Sequence, residues 1–112
     1  MNKRGFGNAG ESLAVNYLEQ SGYRILFRNY WCRIGEIDIV AQKGGCVHFV
    51  EVKTRTGAFY GTPSESVTNH KLSRMRTAAE SYMKAFAGMP GLGKNMQFDL
   101  IEIELRHTEN IY

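Results

Sequence analysis

The chain has 112 residues, 43% of them hydrophobic and 22% charged, with a net charge of +3 at pH 7. That length supports one packed core and excludes two, so residues 1–112 are expected to form a single domain whose core runs from about residue 7 to residue 104. No apolar run approaches the ~20 residues of a membrane-spanning helix, and Met1-Asn2-Lys3-Arg4 is not followed by a secretory apolar region, so the expectation is no membrane and a cytoplasmic location.

In chain order, Lys3 to Gly7 reads as a flexible basic arm. Asn8 opens an expected helix that runs to Gly22, with Leu13, Ala14, Tyr17 and Leu18 as its apolar stripe and Gly22 as its stop. Glu11 sits at the edge of that stripe, and Asn8-x-x-Glu11 matches a capping box, in which the acid only satisfies backbone donors. Tyr23 to Cys32 reads as a strand with Ile25 and Phe27 inward and Arg24 and Arg28 outward. A hairpin follows: Glu36 to Gln42 and Cys46 to Lys53 are rich in Ile, Val and Phe, and Lys43-Gly44-Gly45 supplies the turn.

The stretch from Lys53 into Thr54-Arg55-Thr56-Gly57 and on to Ser66 reads as a loop carrying Arg55, Phe59 and Tyr60. It is equally compatible with gripping a nucleic acid and with folding its rings back onto the core. Thr68 to Phe86 is expected as a second helix, its apolar side built from Leu72, Met75, Ala79, Tyr82, Met83 and Phe86. Its first two turns carry His70, Lys71, Arg74 and Arg76, where cations oppose the helix dipole, so the choice lies between phosphate contacts and a solvated basic face. Ala87 to Asn95 is a loop, and Met96 to Glu104 alternates as a closing strand with Asp99 as a structural or surface residue. Cys32 and Cys46 stand in no zinc-ligand spacing and read as packing residues.

The hairpin carries the chemistry. Period-two alternation puts Ile37, Ile39 and Ala41 on one side and Glu36, Asp38 and Val40 on the other, while Val47, Phe49, Glu51 and Lys53 share a face of the second strand. A turn centred on Gly44-Gly45 sets Asp38 opposite Glu51 and Glu36 opposite Lys53. Like charges so placed cost a hairpin up to roughly 1 kcal/mol unless a third group compensates them. A divalent cation is one compensator, since Mg²⁺ is held by one or two carboxylates with water and phosphate oxygens completing its shell. Lys53 would then neutralise a phosphate oxygen, position water or steady the transition state. The plainer alternative is a solvated face with a Glu36 to Lys53 ion pair.

An acid on one strand followed by Glu-x-Lys on the next resembles the PD-(D/E)xK nuclease core. The ordered set GNAGE, GEIDIVA, FVEVKTR and a later Lys-x-x-Arg helix is similar to the YraN-like family of small bacterial proteins, from Gly7 to about Ile103. The resemblance implies an α/β fold, a restriction-endonuclease-like αβββαβ core with a mixed sheet flanked by helices, as in archaeal Holliday-junction resolvases. It also implies that Glu11 points from the first helix toward a metal site, that Lys71 reaches that site, and that the protein forms a homodimer. The sequence departs from the pattern at the dipeptide Ile37-Asp38, which lacks the proline.

Charge agrees in sign with such a partner. Positions 1–98 hold thirteen basic and seven acidic residues, a balance of +6, because Asp99, Glu102, Glu104 and Glu109 crowd the C-terminal end. A polyanion suits that surface, although many small basic domains bind none. The expected protein is therefore a metal-dependent endonuclease acting on DNA, branched DNA included. Asp38 and Glu51 would hold Mg²⁺ or Mn²⁺ with the Val52 carbonyl and Glu11, Lys53 would serve the attacking water, and Arg55, Tyr60, His70, Lys71, Arg74 and Arg76 would bind the nucleic acid. The runner-up is a nucleic-acid-binding module that keeps the fold and cuts nothing. A two-carboxylate glycosidase fits less well, because Lys53 and the basic surface suit phosphate better than sugar.

Overall fold

The computed structural model describes the backbone of residues 3–56 and 68–112, and the side chains of residues 8–55 and 68–112. Its elements are helix α1 (Lys3–Gln20), strands β1 (Arg24–Cys32), β2 (Gly35–Lys43) and β3 (Cys46–Thr56), helix α2 (Asn69–Ala85) and strand β4 (Asn95–Leu105). This is the expected αβββαβ order. The sheet runs β1-β2-β3-β4, antiparallel except for the parallel β3–β4 pair, so it is mixed. No helix among the described residues is long and apolar enough to cross a membrane.

Each face of the sheet carries one helix because the two apolar sets of the strands are both large. Ile37, Val40, Val47 and Phe49 pack with Met75, Ala78, Ala79 and Tyr82 of α2, while Ile39, Ala41 and Val50 pack with Ala14 and Leu18 of α1. Complete burial of Phe49 contributes on the order of 2–3 kcal/mol. Helix α2 starts as expected: the Thr68 hydroxyl accepts from the Lys71 N–H at 3.1 Å, the usual N-cap arrangement.

Helix α1 departs from expectation at its start. It begins at Lys3, so residues 3–7 form its first turns rather than a flexible arm. Asn8 and Glu11 then lie inside the helix, where Glu11 has no first-turn donors to cap. Of the expected apolar stripe, Ala14 and Leu18 are buried, but Leu13 and Tyr17 are 56% and 61% exposed. The stripe is narrower because α1 meets the sheet along a close approach at Gly10, where an added Cβ would lie 1.9 Å from the Thr54 methyl carbon. Gly10→Val is therefore expected to cost at least about 2 kcal/mol by overpacking, read as a lower urea midpoint at unchanged slope. An unchanged midpoint would mean that α1 does not seat on β3 this way.

The hairpin turn falls where expected, with Gly44 at φ 60° in the first central position. The register also holds, from Lys43–Cys46 to Ile39–Val50. There the paired ladder ends, one residue short of Asp38 and Glu51. Strict alternation fails at the same point: Ile37 packs with Val40 on the α2 side, not with Ile39 and Ala41 on the α1 side. On the other edge of β2, Arg28 pairs with Ile39 and Tyr30 with Ile37, which leaves Asn29 across from Asp38, and Asn29 adopts φ 54°. The pleat is thus broken on β1 and β2 together at Asp38. A second irregularity, between Ile25 and Phe27, turns Phe27 toward Tyr82 and Phe86 and leaves it 39% exposed rather than inward beside Ile25.

Candidate active site

The broken pleat opens a cleft at the far ends of β2 and β3. About 340 Å³ in volume, it is lined by Asn8 and Glu11 of α1, Asn29 of β1, Glu36 and Asp38 of β2, Glu51 to Thr54 of β3, and Lys71 of α2. Asp38 does not simply face Glu51 across a ladder rung. Its Oδ2 accepts the Val52 N–H at 2.8 Å, a backbone donor that the departing ladder leaves free. The carboxylate itself therefore bridges the two strands where their backbones part.

Glu51 is buried, and its Oε1 is held by two ammonium groups, Lys71 Nζ in a short contact and Lys53 Nζ at 3.3 Å. Lys53 and Glu51 lie on one face of β3, as alternation requires. Lys71 joins them because the N-cap at Thr68 aims the first turn of α2 at the end of β3.

Electrostatics divide these groups. Burial, opposed by the Val52 hydrogen bond and reinforced by the negative charges of Glu51, Glu11 and Glu36, pushes the Asp38 carboxyl up to about 7. The Lys53 amine is drawn below the ordinary lysine range, first by its hydrogen bond with Lys71, then by burial and by the Lys71 charge, against the pull of Glu51. Burial pulls Lys71 down too, but its hydrogen bonds to Glu51 and Lys53 and the charges of Glu51 and Asp38 leave it above that range. The proton affinities of two neighbouring lysines are thereby shifted in opposite directions, Lys53 down and Lys71 up.

A hard divalent cation fits this donor set in kind. Asp38 is crowded by three other carboxylates, and Mg²⁺ or Mn²⁺ takes carboxylate and carbonyl oxygens. The fit is not preassembled: among the described residues no three His, Cys, Asp or Glu groups already converge at ligand spacing. A cation on Glu51 would take the place of an ammonium.

Of the residues singled out from sequence, Asp38, Glu51, Val52, Lys53, Glu11 and Lys71 all line this cleft. His70 and Arg74 line an adjoining depression. Arg55 lies within β3 and forms an ion pair with Glu102 of β4. Arg76 is on the exposed side of α2 and lines neither depression. Tyr60, with Phe59, lies outside the described residues. Asp99 is structural, its Oδ2 accepting the His48 Nδ1–H at 2.7 Å. Sequence reading missed Asn8 and Asn29. Asn8 precedes Glu11 by three residues and shares its helix face, a usable signal once the helix is known to start earlier; Asn29 offers none beyond asparagine's tolerance of positive φ.

The profile of "Uncharacterised protein family UPF0102" matches residues 10–103. A UPF0102 protein of Moorella thermoacetica is 44% identical over 112 residues, covering 99% of this chain and 90% of its own. One of Geobacter metallireducens is 46% identical over 119 aligned positions, covering 100% and 95%, and one of Caldicellulosiruptor saccharolyticus is 42% identical over 105, covering 92% and 85%. The expected YraN-like resemblance is thus borne out along nearly the whole chain.

Proposed function

The chain belongs to the UPF0102 family, and from that premise we propose that it is a metal-dependent endonuclease that hydrolyses phosphodiester bonds in DNA, branched DNA included. The observation that carries the reading is the cleft itself: a mutually repelling carboxylate pair, half-buried Asp38 and buried Glu51, next to two lysines whose proton affinities are shifted in opposite directions. Asp38 and Glu51 would hold Mg²⁺ or Mn²⁺, with the Val52 carbonyl and Glu11 as further oxygen donors. The ion would supply charge neutralisation at the phosphate and a lowered pKa for water.

The chain's own residues account for the rest. Lys53, whose amine is drawn below the ordinary lysine range, acts in its deprotonated form: it accepts the proton of the water as the new O–P bond forms, and the P–O bond to the leaving oxygen breaks, that oxygen departing with the bonding pair and taking a proton from solvent. Lys71 stays charged and offsets the negative charge that grows on the phosphoryl oxygens. Before a cation takes the place of one of them, Glu51 holds both amines at the cleft.

Incubating the protein with labelled single-stranded, duplex, flapped and four-way-junction DNA, and with RNA, in Mn²⁺ or Mg²⁺ tests the proposal. Metal-dependent cleavage that disappears in Glu51→Gln is the expected result. Binding without cleavage of any member would favour the second reading, a non-cutting nucleic-acid module. One observation speaks for that alternative: Lys71 and Lys53 already neutralise Glu51 without a cation.

A further inference from the structure

Beside the carboxylate cleft lies a second depression of about 340 Å³, and the two share Glu36, Glu51 and Lys71. Its outer wall is the turn from β1 to β2, with Trp31 and Arg33; its inner wall is α2, with His70 and Arg74. Trp31 is the chain's single tryptophan and is 73% exposed. Indole rings are usually well covered in soluble domains, so an indole left this open beside three groups able to carry positive charge calls for an explanation other than packing.

The turn is also held firmly. Arg74 Nε donates to the Ile34 carbonyl at 2.8 Å, and Gly35 comes so close to α2 that an added Cβ would lie 3.1 Å from the Arg74 carbonyl oxygen. Trp31 is paired across the strands with Glu36, one of the residues common to both depressions. The ring is therefore presented on fixed elements next to the proposed chemistry, not on a wandering loop.

We propose that Trp31, with Arg33 and Arg74, forms a stacking subsite for an unpaired base adjacent to the scissile phosphate. The substrate class is then nucleic acid with single-stranded character at the cut: a single strand, a flap or a junction, rather than continuous duplex. This rests on the phosphodiesterase reading of the neighbouring cleft. The physical reason is access. In a duplex each base face is covered by its neighbours, and an indole stacks only on a face that has been exposed. Arg33 and Arg74 supply cations for the flanking backbone, while Lys71 marks the shared boundary where the reacting phosphate would lie.

Because Trp31 is the sole tryptophan, indole fluorescence excited beyond the tyrosine absorption band reports on this position alone. The experiment titrates Asp38→Asn, which leaves bound strands uncut, with a short single strand and with the same sequence as a blunt duplex, in Ca²⁺. The single strand is expected to quench the emission at concentrations at least tenfold below those the duplex requires. In the same variant, adding Trp31→Leu is expected to weaken single-strand binding about 5- to 100-fold, read by anisotropy of a labelled strand, and Trp31→Phe is expected to restore most of it. Circular dichroism checks that both proteins are folded. Equal quenching by strand and duplex, no quenching by either, or unchanged affinity in Trp31→Leu would overturn the proposal. These readouts measure binding, so they stand whether or not the wild type cleaves.

Discussion

Asp38→Asn is expected to raise the melting temperature of the metal-free protein by roughly 5–8 °C at pH 8 while reducing cleavage by about a thousandfold or more. The carboxyl is pushed from 3.8 to about 7 in the folded chain. A group whose folded pKa is raised contributes stability that is fully present below its unfolded pKa and lost as pH rises through the folded one. Here the window is about pH 4 to 7, so above it the ionised Asp38 destabilises the fold. Discounted for the solvent that reaches a half-buried carboxyl, the cost is about 2 kcal/mol, which for a domain of this size corresponds to the stated shift. Asparagine keeps an oxygen for the Val52 N–H and removes the charge. Thermal unfolding at pH 4 and pH 8 checks the sign: most of the difference should be gone at pH 4. A variant less stable than wild type at pH 8, or a gain of the same size at both pH values, would show that the carboxylate is not strained.

Lys53→Met is expected to reduce kcat by about 10² to 10⁴, the usual contribution of a positioned proton acceptor. Lys71→Met should act differently. The hydrogen bond and charge of Lys71, together with burial, hold the Lys53 amine below the ordinary range. Removing them raises the pKa of Lys53, so the rising limb of the kcat/KM profile should move to higher pH and the rate should recover partly in alkali. A profile from pH 6 to 10 for wild type and both variants separates the roles. If Lys53→Met retains its rate, or if the limb of Lys71→Met moves to lower pH, the assignment of the two lysines is wrong.

Much of this site was legible in the sequence, because a hairpin's turn fixes its register. Gly44-Gly45 between two β-branched runs placed Ile39 against Val50 correctly, and the Glu51 and Lys53 face followed from alternation alone. What stayed hidden was the end of the ladder. The positive φ of Asn29 and the capture of the Val52 N–H by Asp38 both break period two, and no local propensity encodes them, since they depend on three strands meeting. The start of α1 was misjudged for a related reason: Gly5 and Gly7 read as punctuation, yet helix formation there extends through both. Trp31 was passed over because a lone aromatic at a strand end carries no pattern; only its exposure beside Arg33 and Arg74 gives it meaning. The basic start of α2 is plain in the sequence, but its residues part company in the fold, Lys71 to Glu51, Arg74 to Ile34 and Arg76 to the exposed side.

The claim on which the rest depends is that Asp38 and Glu51 are held together for a divalent cation. Calorimetric titration of Mn²⁺ into the wild type, Asp38→Asn and Glu51→Gln at pH 8 tests it most directly. The wild type is expected to bind one Mn²⁺, either variant to bind it at least tenfold more weakly, and saturation to raise the melting temperature of the wild type but not of Asp38→Asn. Binding that is absent in the wild type, or equally strong in all three proteins, would contradict it.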